Sequence, residues 1–521
     1  MKNSPDRLLQ FAAYTVIAVF VVGFFFAPLG LWTGPILTAW FIGTQKPWRG
    51  FLLLAGLSFF LNLLSHWRAS PLPAISYLGW TFLIALISVL PYLLYRLTTH
   101  RQQGFLFTLS LPLWGVALLG LAQHFLPPAI FALYFQIPLQ FAFSPVFRVA
   151  AILGPAIISF LIHWFAAVLV WMWINEFSAT RIATGTGIFA AIWILVFGYS
   201  LFVQTFHPHP AHPLLLNPTF AWICLFAGVL LLAGSLVQDR LAQESWANKV
   251  ETVRLLRSPY TAEPLEVTKK GGRETLLSKS GEQFPVRNGI PAFLEPAKLS
   301  GSNQKYNRLY EIIGGSYDDV QRVACALRGL SSSDYLQNYM RFVEAKPDDL
   351  VLETSVGTGL NLKYLPRGAK LYGLDLSPEM LAACQANLRR WNLSADLFQG
   401  NAEDLPFADN SFDVIFHVGG INFFNDRAKA IKEMIRVAKP GTRIMIADET
   451  EEHVKNVYER APVTSGYFKN RHEAVAAPVD LVPAEMQEVH LELLRDGRFY
   501  ALTFRKPAAA APSLMLLRST T

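Results

Sequence analysis

Glu353 is followed by Ser355, Gly357, Thr358 and Gly359, and a second acid, Asp375, stands 22 positions after the first. Glycines directly after a strand let the backbone approach a ligand closely and let the next helix begin against the sheet. A carboxylate at the end of the following strand can accept both hydroxyls of a ribose. A third polar position, Asn401, followed by Ala402, falls beside the next strand end, where an adenine edge would lie. Together the three describe a pocket for a nucleoside cofactor.

The elements that must position these residues alternate in type. Strand-like segments at 350–354, 370–375, 395–399, 412–417 and 443–447 are separated by helical patterns at 378–391 and 427–437, the rhythm of a parallel sheet. Two further strands, 486–493 and 498–505, are joined by Arg495-Asp496-Gly497, a hairpin turn. Helical patterns at 306–313, 318–327 and 333–344 precede the sheet. The expected unit is an α/β sheet that ends in an antiparallel hairpin.

The first half of the chain is of another kind. Hydrophobic residues make up 52% of the 521 residues, but they are concentrated before residue 238 in repeated apolar runs. Spans are expected at 10–27, 29–44, 51–65, 75–95, 105–123, 147–173, 184–204 and 219–237, an all-α polytopic membrane domain of about eight helices over 1–238. The second and third are short for a bilayer about 30 Å thick and read as a tight hairpin or a partly re-entrant pair. Lys2, Arg7, Lys46, Arg49, Arg96, Arg101 and Arg181 fall in alternate loops, whereas the intervening loops carry only Arg68, with Arg148 at a span boundary. The positive-inside rule then places both termini in the cytoplasm, in a bacterial inner membrane, with the first span uncleaved. Asn62, Gln136, Gln140 and His163 are polar positions within the spans, available for helix contacts or for a pathway.

The net charge of +7 follows from these loops and from Arg240, Lys249, Arg254 and Arg257, a basic stretch suited to anionic lipid headgroups; no nucleic acid partner is expected. Cys224, Cys325 and Cys384 are too scattered for a disulfide framework or a metal site. His207, His209 and His212 lie among prolines and read as a solvated loop, with a weak metal site as the alternative. Residues 239–253 read as a polar juxtamembrane stalk, 254–298 as a small β-rich segment, and 507–521 as a flexible tail.

The set 351–359, Asp375-Leu376-Ser377-Pro378-Glu379-Met380, Asn401-Ala402-Glu403-Asp404-Leu405-Pro406-Phe407 and Ala438-Lys439-Pro440-Gly441 resembles class I S-adenosylmethionine-dependent methyltransferases. The likeness covers 306–506 and is nearest to the group that includes ubiquinone/menaquinone-biosynthesis C-methyltransferases. It implies a Rossmann-like fold and S-adenosylmethionine as cofactor. Glu353 would hold the methionine moiety over a loop of Ser355, Gly357, Thr358 and Gly359. Asp375 would bind the ribose, with Leu376 and Met380 beside the adenine and Asn401 and Ala402 at its edge. His417 would stand near the sulfonium. Ser355 replaces the family's first loop glycine and Asn401 its usual acid. The segment 254–298, through its Pro-Val-Arg-Asn-Gly-Ile-Pro run, resembles zinc-ribbon-like segments that precede such domains, but Ser258, Thr261, Ser278 and Gly281 stand where metal-binding cysteines would, so no zinc is expected. The membrane part is faintly similar to that of apolipoprotein N-acyltransferases, whose catalytic domain is missing.

Methyl transfer depends largely on holding nucleophile and methyl in near-attack geometry. Where a base is needed, His417 is the candidate, with a wall residue as the alternative role. Tyr306, Tyr310 and Tyr317 either close over the pocket or form the apolar face of helices, and 451–480, with Tyr458, Tyr467, Phe468 and His472, is the expected acceptor lid. Three functions fit: a membrane-anchored methyltransferase acting on a small lipidic or membrane-associated acceptor at the cytoplasmic face; a scaffold or sensor with a degenerate methyltransferase domain; and a transporter with an accessory domain, disfavoured by the near absence of intramembrane charge.

Overall fold

The computed structural model describes residues 27–66, 73–99, 105–127, 156–174, 218–241, 244–270, 272–294, 299–314, 317–319, 321–322, 332–460, 465–468 and 474–508. The chain divides into two compact units, Leu9–Ala242 and Gln243–Thr521.

The first unit is helical: α1 (Ala27–Thr44), α2 (Pro47–His66), α3 (Ala74–Thr99), α4 (Ser110–Phe125), α5 (Ala156–Ile174) and α6 (Pro218–Leu241). Among the described residues, three helical stretches are long and apolar enough to cross a membrane: Pro47–Leu64, Ala74–Thr99 and Phe105–Phe125. About eight were expected over the whole chain. Ser159–Ile174 and Trp222–Ser235 are apolar but shorter, and the expected spans at 10–27 and 184–204 lie outside the described residues apart from Ala27. Gln136, Gln140 and the histidine-rich loop lie outside them too. The segments read as short are helices of 18 and 20 residues, the second beginning on Pro47, whose missing N–H costs nothing in a first turn. Asn62 donates to the Ser58 carbonyl at 2.8 Å and the His163 ring meets the Ser159 carbonyl at 2.7 Å, so both polar side chains are spent on their own helices. Trp164 donates to Thr108 and Ser235 to the Thr98 carbonyl, which tie helices together.

The second unit is built on a seven-stranded sheet in the order β10-β11-β9-β8-β5-β6-β7. Strands β5 (Leu350–Glu353), β6 (Lys370–Asp375), β7 (Ala395–Gln399), β8 (Val414–Val418) and β9 (Arg443–Glu449) are parallel, and β10 (Gln487–Leu494) and β11 (Phe499–Arg505) add the expected antiparallel hairpin. Arg495, Asp496 and Gly497 all take positive φ at its turn. Central β5 is almost continuously apolar because helices cover both faces of a parallel sheet. The helices are α8 (Gly301–Ile313), α9 (Ser332–Met340), α10 (Pro378–Trp391) and α11 (Arg427–Val437). The chain leaves β5 for β6 on one side and returns to β8 on the other. That reversal opens a crevice at the carboxyl ends of β5 and β8, where ligands of open α/β sheets bind.

Residues 244–255 are no free stalk. Ser245 and the Trp246 amide bind the Glu274 carboxylate, and the Trp246 indole donates to the Gly289 carbonyl at 3.0 Å. Lys249 pairs with Asp396, which also accepts from Thr252 in α7 (Val250–Leu255). Lys249 is therefore committed within the protein rather than offered to headgroups. The β-rich segment forms a four-stranded antiparallel sheet of β1 (Leu265–Lys270), β2 (Arg273–Ser278), β3 (Gln283–Arg287) and β4 (Ile290–Pro291). Side-chain hydrogen bonds fasten its two loops. Ser258 Oγ accepts from the amides of Tyr260 and Thr261, Ser278 Oγ from that of Glu282, and Thr261 donates to Glu282 at 2.7 Å while the Ser280 amide donates to Glu263 at 2.8 Å.

This small sheet is docked on the large one. The Phe293 amide donates to the Gln399 carbonyl at 2.8 Å, the Arg257 amide to Pro406, and the Ala408 amide to Leu255. The Phe293 bond and the Ala292–Gln399 bridge cover the carboxyl end of the β7 edge, which would otherwise present unpaired backbone groups, and the other two fasten the loop after it. Trp246, Leu256, Leu276, Phe284 and Phe293 share one core with Phe398, Phe407 and Phe412.

Candidate active site

Glu353, the last residue of β5, is fully buried. Tyr339 donates to Asn361 Oδ1 at 2.9 Å, and the Asn361 amide donates to Glu353 Oε1 at 2.6 Å, so the carboxyl is held by a chain reaching back to α9. Its other oxygen has no hydrogen-bond partner among the described residues. Burial pushes the Glu353 carboxyl well above the usual carboxylate range, a state that a cation placed against the open oxygen would reverse.

Asp375 ends β6 half-buried, its carboxylate fixed by the backbone: Oδ2 accepts from the Gly357 amide at 2.8 Å and Oδ1 from the Ser377 amide at 2.9 Å. Each oxygen keeps a free lone pair for a second donor. Burial raises its pKa to about 6, with the amides of Ser377, Gly357 and Leu376 pulling the other way. Ser377 in turn caps α10 by accepting from the Met380 amide, with Pro378 in the first turn. Met380 lies buried next to the Gly357 turn, and Leu376 is half-buried beside Asp375.

Gly357 and Gly359 have φ of +52° and +78°, and a Cβ on Gly359 would stand 2.6 Å from Cys384 Sγ. Gly359→Ala therefore meets both backbone strain and a packed sulfur; we expect it to destabilise the domain by ~2–4 kcal/mol, to be measured by denaturant unfolding, and to weaken cofactor binding in parallel. The Thr358 hydroxyl donates to Asp318 at 2.6 Å, and Asp318 also accepts from Asn387 at 2.7 Å. Ser355 is half-buried in the same turn. Asn401 Oδ1 accepts from the Glu403 amide, a local turn that leaves its amide nitrogen as the group available to a ligand, and Ala402 is buried beside it. Glu403 is a structural hub, accepting from Asn303 and from the amides of Asn425 and Asp426. Lys439 of the Lys-Pro-Gly element pairs with Asp413 at 2.7 Å, while Gly441 turns at φ +83°.

His417 is the base candidate named from the sequence. It is fully buried on β8, its Nδ1 lies 3.1 Å from Thr354 Oγ1, and the Phe424 ring packs edge-on against it. Burial lowers its pKa to about 3, so it stays neutral and weakly basic. Asn361, Asp318 and Asn387, which were not picked out from the sequence, support the crevice. Asn361 and Asn387 are ordinary helix or loop polar residues until the fold brings Glu353 and Thr358 to them.

An open buried carboxyl oxygen on Glu353, a backbone-oriented carboxylate on Asp375 and a glycine turn between them suit a cationic nucleoside. A family profile described as a methyltransferase domain matches residues 352–446. The ubiquinone/menaquinone biosynthesis C-methyltransferase of Geotalea daltonii is 30% identical over 190 residues, 33% of this chain and 77% of that protein. The chain belongs to the S-adenosylmethionine-dependent methyltransferases. A demethylmenaquinone methyltransferase of Chlorobaculum parvum is 38% identical over 151 residues, 26% of this chain and 58% of its own length. A solved structure of a putative methyltransferase from Bacillus halodurans is 18% identical, covering 34% of this chain and 100% of that one at a TM-score of 0.28.

The methyltransferase takes S-adenosylmethionine as its cofactor, which supplies an electrophilic methyl on a sulfonium. Its adenosine would run from β7 and β6, at Asn401, Ala402 and Asp375, to a methionine moiety at Glu353 on β5. Continued along the strand order, that line leads to the ends of β8 and β9. There Tyr306 packs on Phe423 with ring centroids 4.7 Å apart, Phe423 on Phe468 at 5.0 Å, and Tyr458 on Phe468 at 4.8 Å. Tyr306 and Tyr310 thus join an aromatic cluster with part of the expected lid. His472 lies outside the described residues.

Proposed function

We propose that this methyltransferase acts from the membrane on a small hydrophobic acceptor, lipidic or membrane-associated, at the cytoplasmic face. One observation carries the reading: the side of the crevice left to an acceptor is walled by Tyr306, Phe423, Tyr458 and Phe468, in a chain that also carries three helices apolar enough to cross a bilayer. An aromatic wall favours a flat apolar ring over a charged or sugar acceptor. The matched relatives are named for methylation in quinone biosynthesis, which agrees with such a ring. The cytoplasmic placement is supported by the basic residues of alternate loops.

The test uses the full chain in liposomes with methyl-labelled S-adenosylmethionine and a bacterial lipid extract. We expect label to enter the organic phase, and to stop doing so when Asp375 is replaced by alanine. Label that stays in the aqueous phase with every extract, while cofactor still binds, would exclude a lipidic acceptor.

A further inference from the structure

The seven-stranded sheet treats its two edges differently. At the β7 edge the small sheet docks on the carboxyl end, through the Phe293 amide and the Ala292–Gln399 bridge. At the other edge stands β10, and among the described residues no strand pairs with its outer side. Proteins blunt such an edge with lysine, proline or bulges, because its free N–H and C=O groups otherwise template another strand. Of these β10 has a bulge, and only at its start: the register with β11 shifts between Gln487 and His490, where Glu488 takes φ +53°. From His490 to Leu494 the pairing with β11 is regular, and this stretch holds neither lysine nor proline.

The side chains along this edge are apolar and open to solvent. Leu491 and Leu493 share one face of the sheet and are 41% and 62% exposed, and Val489, at the end of the bulge, is 44% exposed. Leu491 and Leu493 stand opposite Leu502 and Tyr500 of β11, both buried, so the stripe continues a core face outward into water. The other face of β10 carries His490 and Glu492. Glu492 Oε1 accepts from Arg341, and its Oε2 stands 3.9 Å from the His490 ring of the same strand.

We propose that β10 pairs with β10 of a second copy of this chain, antiparallel about a two-fold axis through Leu491, joining two seven-stranded sheets edge to edge. Charge selects this register. A two-fold axis perpendicular to the sheet keeps every side chain on its own face, so only residues of like parity meet. An axis on His490 would set Glu488 against the second copy's Glu492, and an axis on Glu492 would set that acid against itself, both unfavourable. An axis on Leu491 sets His490 opposite the second copy's Glu492, twice, where an imidazole N–H can donate to a carboxylate. On the other face it sets Leu491 against its own copy and Val489 against Leu493, so the exposed stripe covers itself. Such an isologous contact closes, and it leaves no further β10 edge to recruit a third chain.

The test uses the full chain in detergent micelles, wild type beside Leu491→Lys, Leu491→Cys, Leu493→Cys and Val489→Cys. Mass is read by light scattering corrected for detergent, and crosslinking by non-reducing electrophoresis after mild oxidation, with the wild type as background for the native cysteines. We expect the wild type to weigh two chains. Leu491→Lys, which sets two like charges on the axis, should weigh one while binding S-adenosylmethionine as the wild type does. Leu491→Cys should crosslink to itself, because directly opposed residues of antiparallel strands have Cα atoms ~4.5–5.5 Å apart, within disulfide reach. Leu493→Cys should not, since it lies four positions, or ~13 Å, from its own copy, but it should crosslink to Val489→Cys when the two proteins are mixed. A wild type that weighs one chain, with no Leu491→Cys crosslink above background, overturns the pairing. So does a dimer that Leu491→Lys leaves intact, which would place the contact elsewhere in the chain. A wild type that weighs one chain and holds a strand of a different protein on β10 overturns it as well.

Discussion

A fragment beginning at residue 300 is expected not to fold, whereas one beginning at 244 should be soluble and bind S-adenosylmethionine. The shorter piece contains every cofactor-loop residue, yet it loses the other half of a shared core. Trp246 packs on Phe398 with ring centroids 5.5 Å apart, Phe293 on the same ring at 6.3 Å, and Phe284 on Phe293 at 5.0 Å. Without them Phe398 and Phe407, both fully buried, would face water, and β7 would expose a bare edge. Truncating one buried Trp or Phe to alanine costs ~3–5 kcal/mol, against a whole-domain stability of about 5–15 kcal/mol. Losing Trp246, Phe284 and Phe293 together reaches or exceeds that total. The check is soluble yield and cooperative unfolding of the two fragments, with Trp246→Ala in the full chain as the graded version, expected to cost ~3–5 kcal/mol. Equal unfolding midpoints for the two fragments would show that the small sheet is a spacer after all.

What could be read in the sequence was local, and what could not was long-range. The parallel strands announced themselves as short apolar runs, and β6, α10, β7 and α11 fall at 370–375, 378–391, 395–399 and 427–437 as expected. The Arg495-Asp496-Gly497 turn specified its hairpin through positive-φ chemistry. The stretch 244–255 misled because Ser245, Lys249 and Glu251 look solvated along the chain, yet Lys249 meets Asp396 and Glu251 meets Lys370 far away in sequence. Likewise the hydroxyls of Ser258, Thr261 and Ser278 carry no sign along the chain that they fasten two loops, until those loops face each other. His417 misled differently: a histidine at a strand end suggests acid–base chemistry, but only packing by Thr354 and Phe424 shows that it is desolvated.

Replacing Asp375 with alanine should abolish measurable S-adenosylmethionine binding in the full-length protein, while Asp375→Asn should retain a weakened site. The carboxylate has two tasks. It anchors the amides of Gly357 and Ser377, which sets the turn and the start of α10, and it would accept the ribose hydroxyls. Hydrogen bonds to a charged group contribute ~1.5–3 kcal/mol each, so two of them to the ribose correspond to a loss of ~100-fold or more in affinity, before any loosening of the turn. The pH dependence separates the charge from the anchoring. Because burial raises the Asp375 pKa from 3.8 to about 6, the folded, cofactor-free protein holds this proton more tightly than the unfolded chain. The stability this group contributes is full below 3.8 and is lost as pH rises through about 6. Cofactor binding runs the opposite way, since the ribose hydroxyls need the ionised acceptor and binding must expel the proton. Calorimetric titration should therefore show wild-type affinity falling below about pH 6 more steeply than that of Asp375→Asn, by ~10-fold per pH unit, with one more proton released per site than in that variant. A wild-type affinity flat from pH 7 to 5 would mean that Asp375 is not the ribose ligand, and that its place at the end of β6 serves the turn alone.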